Sequence, residues 1–272
     1  MFKKKENTDL KQIGIVMRYE LLKHLRRRRL IAVLAITLIV SSLQLAVPPA
    51  FNIAYPEEPK SFAESFLSFV HLLVIICGAF FAGDAIASEF EQKTGYILFP
   101  NPVKRVVLVA GKFLAAVISV FLMVGLYYAI CFLSILTIYG VTLNQLVHSF
   151  AYAFLFLLGV LGLTFLFSSL LKGSMGATLL SFFMLFMILP IMEGVLTITG
   201  NEPWYSITYS SQIITEVINP SSVRVEKIVV KDSPITVWVF HPDFLTSTVV
   251  LLTYFIATLV LTLLIIDRKE MV

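Results

Sequence analysis

Charge is scarce in this chain. Asp, Glu, Lys and Arg make up 14% of the 272 residues, while 58% are hydrophobic. Soluble domains carry about a quarter charged residues, so the composition argues against a soluble fold. Cysteine is nearly absent, and Cys77 and Cys131 both fall inside apolar runs, which removes any disulfide framework. The four histidines, His24, His71, His148 and His241, show no metal-ligand spacing. His71 and Cys77 share one apolar run, but a six-residue step does not bring them to one helix face. The chain has no G-x-x-x-x-G-K-[ST], no G-x-S-x-G and no H-E-x-x-H. It therefore lacks a P-loop of its own, a hydrolase elbow and a metalloprotease helix. No His, Asp or Ser cluster sits at one depth, as an enzyme acting on lipid would need. The reading is that the chain is not an enzyme. Fixed-period repeats and low-complexity tracts are also missing.

What is present is apolar length. Six runs reach or approach the roughly 20 residues needed to cross a bilayer: 30–47, 62–83, 106–139, 148–171, 174–198 and 244–266. They are unbroken rather than alternating, which favours helices over a barrel. The first run is not a cleaved signal, because its basic flank is long and Pro48-Pro49 stands where small residues are required. The third run would extend about 50 Å as a helix, so it should tilt, project from the membrane or break near Gly125.

Lys and Arg set the orientation. Ten precede the first run, including 26–29, four lie between the second and third, one is Lys172, and two follow the sixth. The opposite connections hold four: Lys60, Arg224, Lys227 and Lys231. Both termini are therefore expected in the cytoplasm, at a cell membrane. The basic cluster before the first run reads as an orientation signal, not as a nucleic-acid contact.

Before the first run, Leu10, Ile13, Met17, Leu21 and Leu25 recur at three- and four-residue steps, with Lys11, Gln12, Arg18, Lys23 and Arg26 off that stripe. This predicts an amphipathic helix over 8–29, capped by Thr8 or Asp9 and lying on an anionic lipid surface. After Thr199-Gly200 comes an outer segment of 45 residues. A short helix over 206–218 should end at Asn219-Pro220. The β-branched stretches "VRVEKIVV" and "ITVWVF" around "KDSP" predict a hairpin. Its apolar face is expected to carry Val223, Val225, Val229, Ile235, Val237 and Val239, with Trp204 and Trp238 seating it at the interface. The fold class is thus an all-α polytopic membrane protein: six transmembrane helices, an amino-terminal elbow helix and a small extracytoplasmic segment with a β-hairpin. Four regions follow: 1–29, the spans 30–198 with a loop at 84–105, the outer segment 199–243, and the sixth span with its tail, 244–272.

That loop, containing "EFEQKTGYILFPNPVKRVVLVAGK", is more elaborate than a connector needs. Asp84 and Glu89 follow the second span, Thr94-Gly95 permits a turn, "YILF" offers an apolar surface, and Pro100 and Pro102 fix an exit. In these residues the chain resembles the permease subunit of type 2 ATP-binding-cassette (ABC) exporters. Their pattern is an acid after span two, a Gly-Thr pair, an apolar turn, Pro-x-x-Arg, and Gly-Lys in span three. Here it falls on Glu89, Thr94-Gly95, Ile97-Leu98, Pro102, Arg105 and Gly111-Lys112, with Thr preceding Gly. The resemblance covers nearly the whole chain. It implies a dimer of such subunits, homodimeric or with a related chain, above two separate ABC ATPase subunits. ATP and Mg would be held by those partners, with no cofactor on this chain. It further implies that the loop is a coupling helix, with Tyr96, Ile97, Leu98 and Phe99 as buried contacts, Glu89 and Arg105 fixing its ends, and Lys112 completing the motif. The alternative is an ATP-independent transporter or channel, which would favour charges along the spans and an internal repeat.

Glu193, in "LPIMEGV", is the one acid well inside a run. A carboxylate in lipid must face protein or water. It either faces the pathway, or span five ends near Ile191 and leaves it at the wet outer interface.

Overall fold

The computed structural model of the chain describes residues 2–26, 28–92, 104–229 and 236–268. Helix α1 (Phe2–Arg26) leads into the first span, α2 (Arg28–Ala50). The second span is segmented into α3 (Pro59–Leu67), α4 (Val70–Ala82) and α5 (Ala87–Glu91). Next come the third span, α6 (Arg105–Tyr139), and the fourth, α7 (Gln145–Leu170). The fifth joins α8 (Ser174–Phe183), a π turn (Met184–Ile188) and α9 (Leu189–Ile198). Short helices α10 (Ile207–Ser211) and α11 (Ile213–Glu216), strands β1 (Val225–Val229) and β2 (Thr236–Phe240), and the sixth span α12 (Phe244–Arg268) complete the order. Six helices are long and apolar enough to cross a membrane.

The second, third and fourth spans form the packed centre, while the first, fifth and sixth stay largely exposed. The sixth lies along the fourth, and α1 lies along the third. Aromatic side chains lock the centre: Phe66 stacks on Tyr127 with ring centroids 5.0 Å apart, and Phe113 meets Phe165 edge-on at 5.3 Å. The Tyr127 hydroxyl reaches the Phe66 carbonyl and, at 2.7 Å, Gln44 Oε1 of the first span. Buried polar groups here are thus satisfied, as an apolar surrounding demands.

Two expectations about the helices are corrected, the cap of α1 and the single outer helix. Helix α1 starts at Phe2, so neither Thr8 nor Asp9 caps it. Along its apolar stripe Ile13, Met17 and Leu21 are half-buried, while Leu10 and Leu25 are exposed. Of the three alternatives for the third span, the break near Gly125 does not occur: the helix runs unbroken from Arg105 to Tyr139, because in lipid the helical backbone bonds have no water to replace them. The expected outer helix is split at Gln212 into two short ones.

The hairpin is antiparallel, pairing Val225 with Phe240 and Val229 with Thr236. Its faces differ from expectation. Odd positions of β1 oppose even positions of β2, so Val225 shares a face with Phe240 while Val239 shares the other with Glu226. A shift of one residue in pairing exchanges faces, and the sequence pattern does not fix that register. Ile235 lies outside the described residues.

Candidate functional site

The end of the bundle that carries α1 and the 84–105 loop gathers most of the charge network. Lys112 sits about two turns into the third span and its side chain is 7% exposed. Its ammonium lies 2.7 Å from Glu20 Oε1 of α1 and 2.7 Å from Glu89 Oε1 at the stem of the loop. Lys23 approaches Glu20 at 3.2 Å on the wetter side. An ammonium with this little water requires such partners, and two carboxylates plus two ammonium groups leave the cluster neutral. Burial raises the Glu20 carboxyl, but Lys112 and then Lys23 outweigh it and hold the group below its ordinary range.

Gly111 permits this contact. A Cβ there would lie 2.7 Å from Val16 Cβ and 3.1 Å from the Ile13 carbonyl oxygen, so α1 reaches the third span only because position 111 has no side chain. Gly111→Val should lift α1 from the third span and separate Glu20 from Lys112, at about 1–3 kcal/mol for overpacking alone. Faster hydrogen exchange across α1, with the spans unchanged, would check this. Unchanged exchange would remove Gly111 from the account.

The rest of the loop stem is tied to every other neighbouring span. Arg29 of the first span bonds Asp84 at 2.8 Å and the Phe80 carbonyl at 3.3 Å. The backbone turns after Ala82, and the Ser168 hydroxyl oxygen of the fourth span accepts the freed N–H groups of Ile86 and Ala87 at 3.0 and 3.1 Å. Glu91 accepts the Ser174 N–H at 2.8 Å, a carboxylate at the start of the fifth span, where the helix dipole favours it. At the far end of the loop, Lys104 pairs with Asp9 of α1. Arg105 donates to the Ile266 and Asp267 carbonyls at 2.6 and 3.2 Å, placing a cation at the end of the sixth span.

Of the residues singled out by sequence, Glu89 and Lys112 are brought into direct contact, whereas Arg105 holds the far end of the loop against a different helix. Thr94, Gly95, Tyr96, Ile97, Leu98, Phe99 and Pro102 lie outside the described residues. Glu20, Arg29 and Ser168 were missed. Glu20 falls at the three-residue step from Met17 along the inward face of α1, and that position was the available signal.

At the opposite end, the fifth helix does not stop near Ile191 but continues to Ile198. Glu193 is half-buried. Its Oε1 accepts the Ser206 and Thr208 hydroxyls and, at 2.9 Å, the Tyr209 N–H, which anchors the outer segment to span five. His71 has its ring nitrogens 3.0 Å from the Ser68 carbonyl and 2.8 Å from the Ser211 carbonyl. No group of three or more His, Cys, Asp or Glu is placed to hold a metal among the described residues.

Residues 15–271 match the model of a family described as ABC-2 family transporter protein. No curated protein matches the chain.

Proposed function

The chain belongs to the ABC-2 transporter family, and from that premise we propose that it is the permease subunit of an exporter, driven from below by separate ATPase subunits. One observation carries the reading beyond the family. The stem of the 84–105 loop is bonded to α1 and to the first, third, fourth and fifth spans through Asp9, Arg29, Lys112, Ser168 and Ser174. A push on this loop is therefore delivered to five helices, whereas a plain connector needs none of these bonds. Tyr96, Ile97, Leu98 and Phe99 form the docking surface, and ATP and Mg are bound by the partner. The chain works as a dimer in the cell membrane, with the first and fifth spans, the least buried of the six, available to the second copy and to lipid. Both termini and the loop are cytoplasmic, and the hairpin caps the outer exit.

The reading is tested by purifying the chain with its ATPase and measuring substrate-stimulated hydrolysis in reconstituted vesicles. Glu89→Gln retains the complex but lowers transport per ATP, because Lys112 keeps only a neutral acceptor there. A complex that never forms overturns the reading. Orientation is tested separately. A single cysteine replacing Gln92 should resist an impermeant maleimide on intact cells, whereas one replacing Asn201 should react. The reverse pattern contradicts the assigned topology.

A further inference from the structure

Glu193 lies between two cavities that share Pro190, Glu193 and Gln212 as walls. The inner one, about 370 Å³, is bounded on its apolar side by Leu72, Ile75, Leu185 and Phe186. The outer one, about 360 Å³, is bounded by Tyr209, Trp238 and Phe240. The π turn at Met184–Ile188 stands just before this point. A π turn adds one residue to a helical turn and so re-aims the residues that follow.

The electrostatics of this place are incomplete. Three donors converge on Glu193 Oε1, yet all three are neutral hydroxyl or amide groups. Among the described residues, no Lys or Arg comes within ion-pair distance of the carboxylate, and no donor reaches its Oε2. By contrast, the buried Lys112 ammonium is matched to two carboxylates. A carboxylate at the outer part of a span without a cation is costly in an apolar surrounding. The adjoining walls are aromatic, and aromatic faces attract organic cations. Trp238 already does so within the chain, with the Lys227 ammonium 5.1 Å from its ring centroid. His71 also lines the inner cavity, but its ring nitrogens face the Ser68 and Ser211 carbonyls and not Glu193.

We propose that the paired cavities bind a lipophilic organic cation, its charge against Glu193 and the indole of Trp238, and its apolar groups along Leu72, Ile75, Leu185 and Phe186. An inorganic cation would leave this apolar wall unused, and an anionic amphiphile would meet the carboxylate. Binding stands on the cavities alone. That the cation is cargo rests on the permease reading above.

The test uses the full chain in nanodiscs of zwitterionic phosphatidylcholine. There are two tryptophans, Trp204 and Trp238, so Trp204→Phe leaves Trp238 as the sole reporter. Tetraphenylphosphonium is titrated beside tetraphenylborate, its anion of like size. The expected result is a saturable change in Trp238 fluorescence for the phosphonium alone, with affinity at least tenfold lower in Glu193→Gln. Glutamine keeps an oxygen for the three donors, and thermal unfolding checks that the outer segment stays docked. Should that variant unfold, Gln212→Lys decides. Gln212 is exposed, lies on both cavities and holds none of the Glu193 bonds, and an ammonium there should compete with the probe. A signal that rises linearly with lipid partitioning, appears equally for the borate, or survives in both variants overturns the site. Since no ATPase is present, failure here leaves the coupling reading intact, and failure of coupling leaves this site intact.

Discussion

Leu98→Asp together with Phe99→Asp is expected to abolish retention of the ATPase subunit when the chain is purified. Each apolar side chain buried at such an interface contributes about 1.5–3 kcal/mol. The pair therefore accounts for roughly two to four decades of affinity, and two added carboxylates must in addition be desolvated. Both residues lie outside the six apolar runs of the sequence, so insertion and the thermal unfolding of the bundle should stay unchanged. The check is the amount of ATPase recovered per permease, beside transport in vesicles. If the double variant holds its ATPase and transports normally, the loop is only a connector.

Lys112→Met has the largest effect on the bundle itself. It takes away the buried ammonium that the Glu20 and Glu89 carboxylates share, while Lys23 still reaches Glu20 from the wetter side. Removing one partner of such a buried set costs about 3–5 kcal/mol. Thermal unfolding in detergent should shift down sharply, and α1 should exchange its amide hydrogens quickly. Adding Glu20→Gln and Glu89→Gln to Lys112→Met removes both carboxylate charges, and stability should return to near the starting value, since a buried ionic set can be exchanged for neutral groups at little cost. Coupling should not return with it. In the triple variant the loop stem is no longer held to the third span by charge, so hydrolysis continues with less transport per ATP. A triple variant as unstable as Lys112→Met shows that shape, not charge, holds α1. A triple variant that transports normally shows that the cluster has no part in coupling.

The six spans were legible because each is an apolar run of sufficient length, a property of consecutive residues. The hairpin was legible as two β-branched stretches around a turn. Its register was not, because one residue of shift exchanges faces and both faces of these strands carry valine. The Lys112 cluster was half legible. Lys112 and Glu89 were marked by the motif they share, but Glu20 lies 92 residues from Lys112, and only the packing of α1 across Gly111 brings them together. The π turn left no mark beyond Pro190 and Gly194 beside Glu193. The surroundings of Glu193 likewise depended on the outer segment folding back so that Ser206, Thr208 and Tyr209 cover it, a long-range event that local pattern does not encode.

The central claim is that the Glu89–Pro102 loop of this chain sits in a groove of an ATPase subunit, and photocrosslinking measures it most directly. A benzophenone amino acid is placed at Phe99, the complex is irradiated in native membranes, and the crosslinked product is identified by mass spectrometry. The account requires a one-to-one adduct with a P-loop ATPase, lost when the same probe stands at Asn201 on the opposite side. An adduct only to lipid or to a second copy of this chain, with the ATPase present in the same membranes, would contradict it.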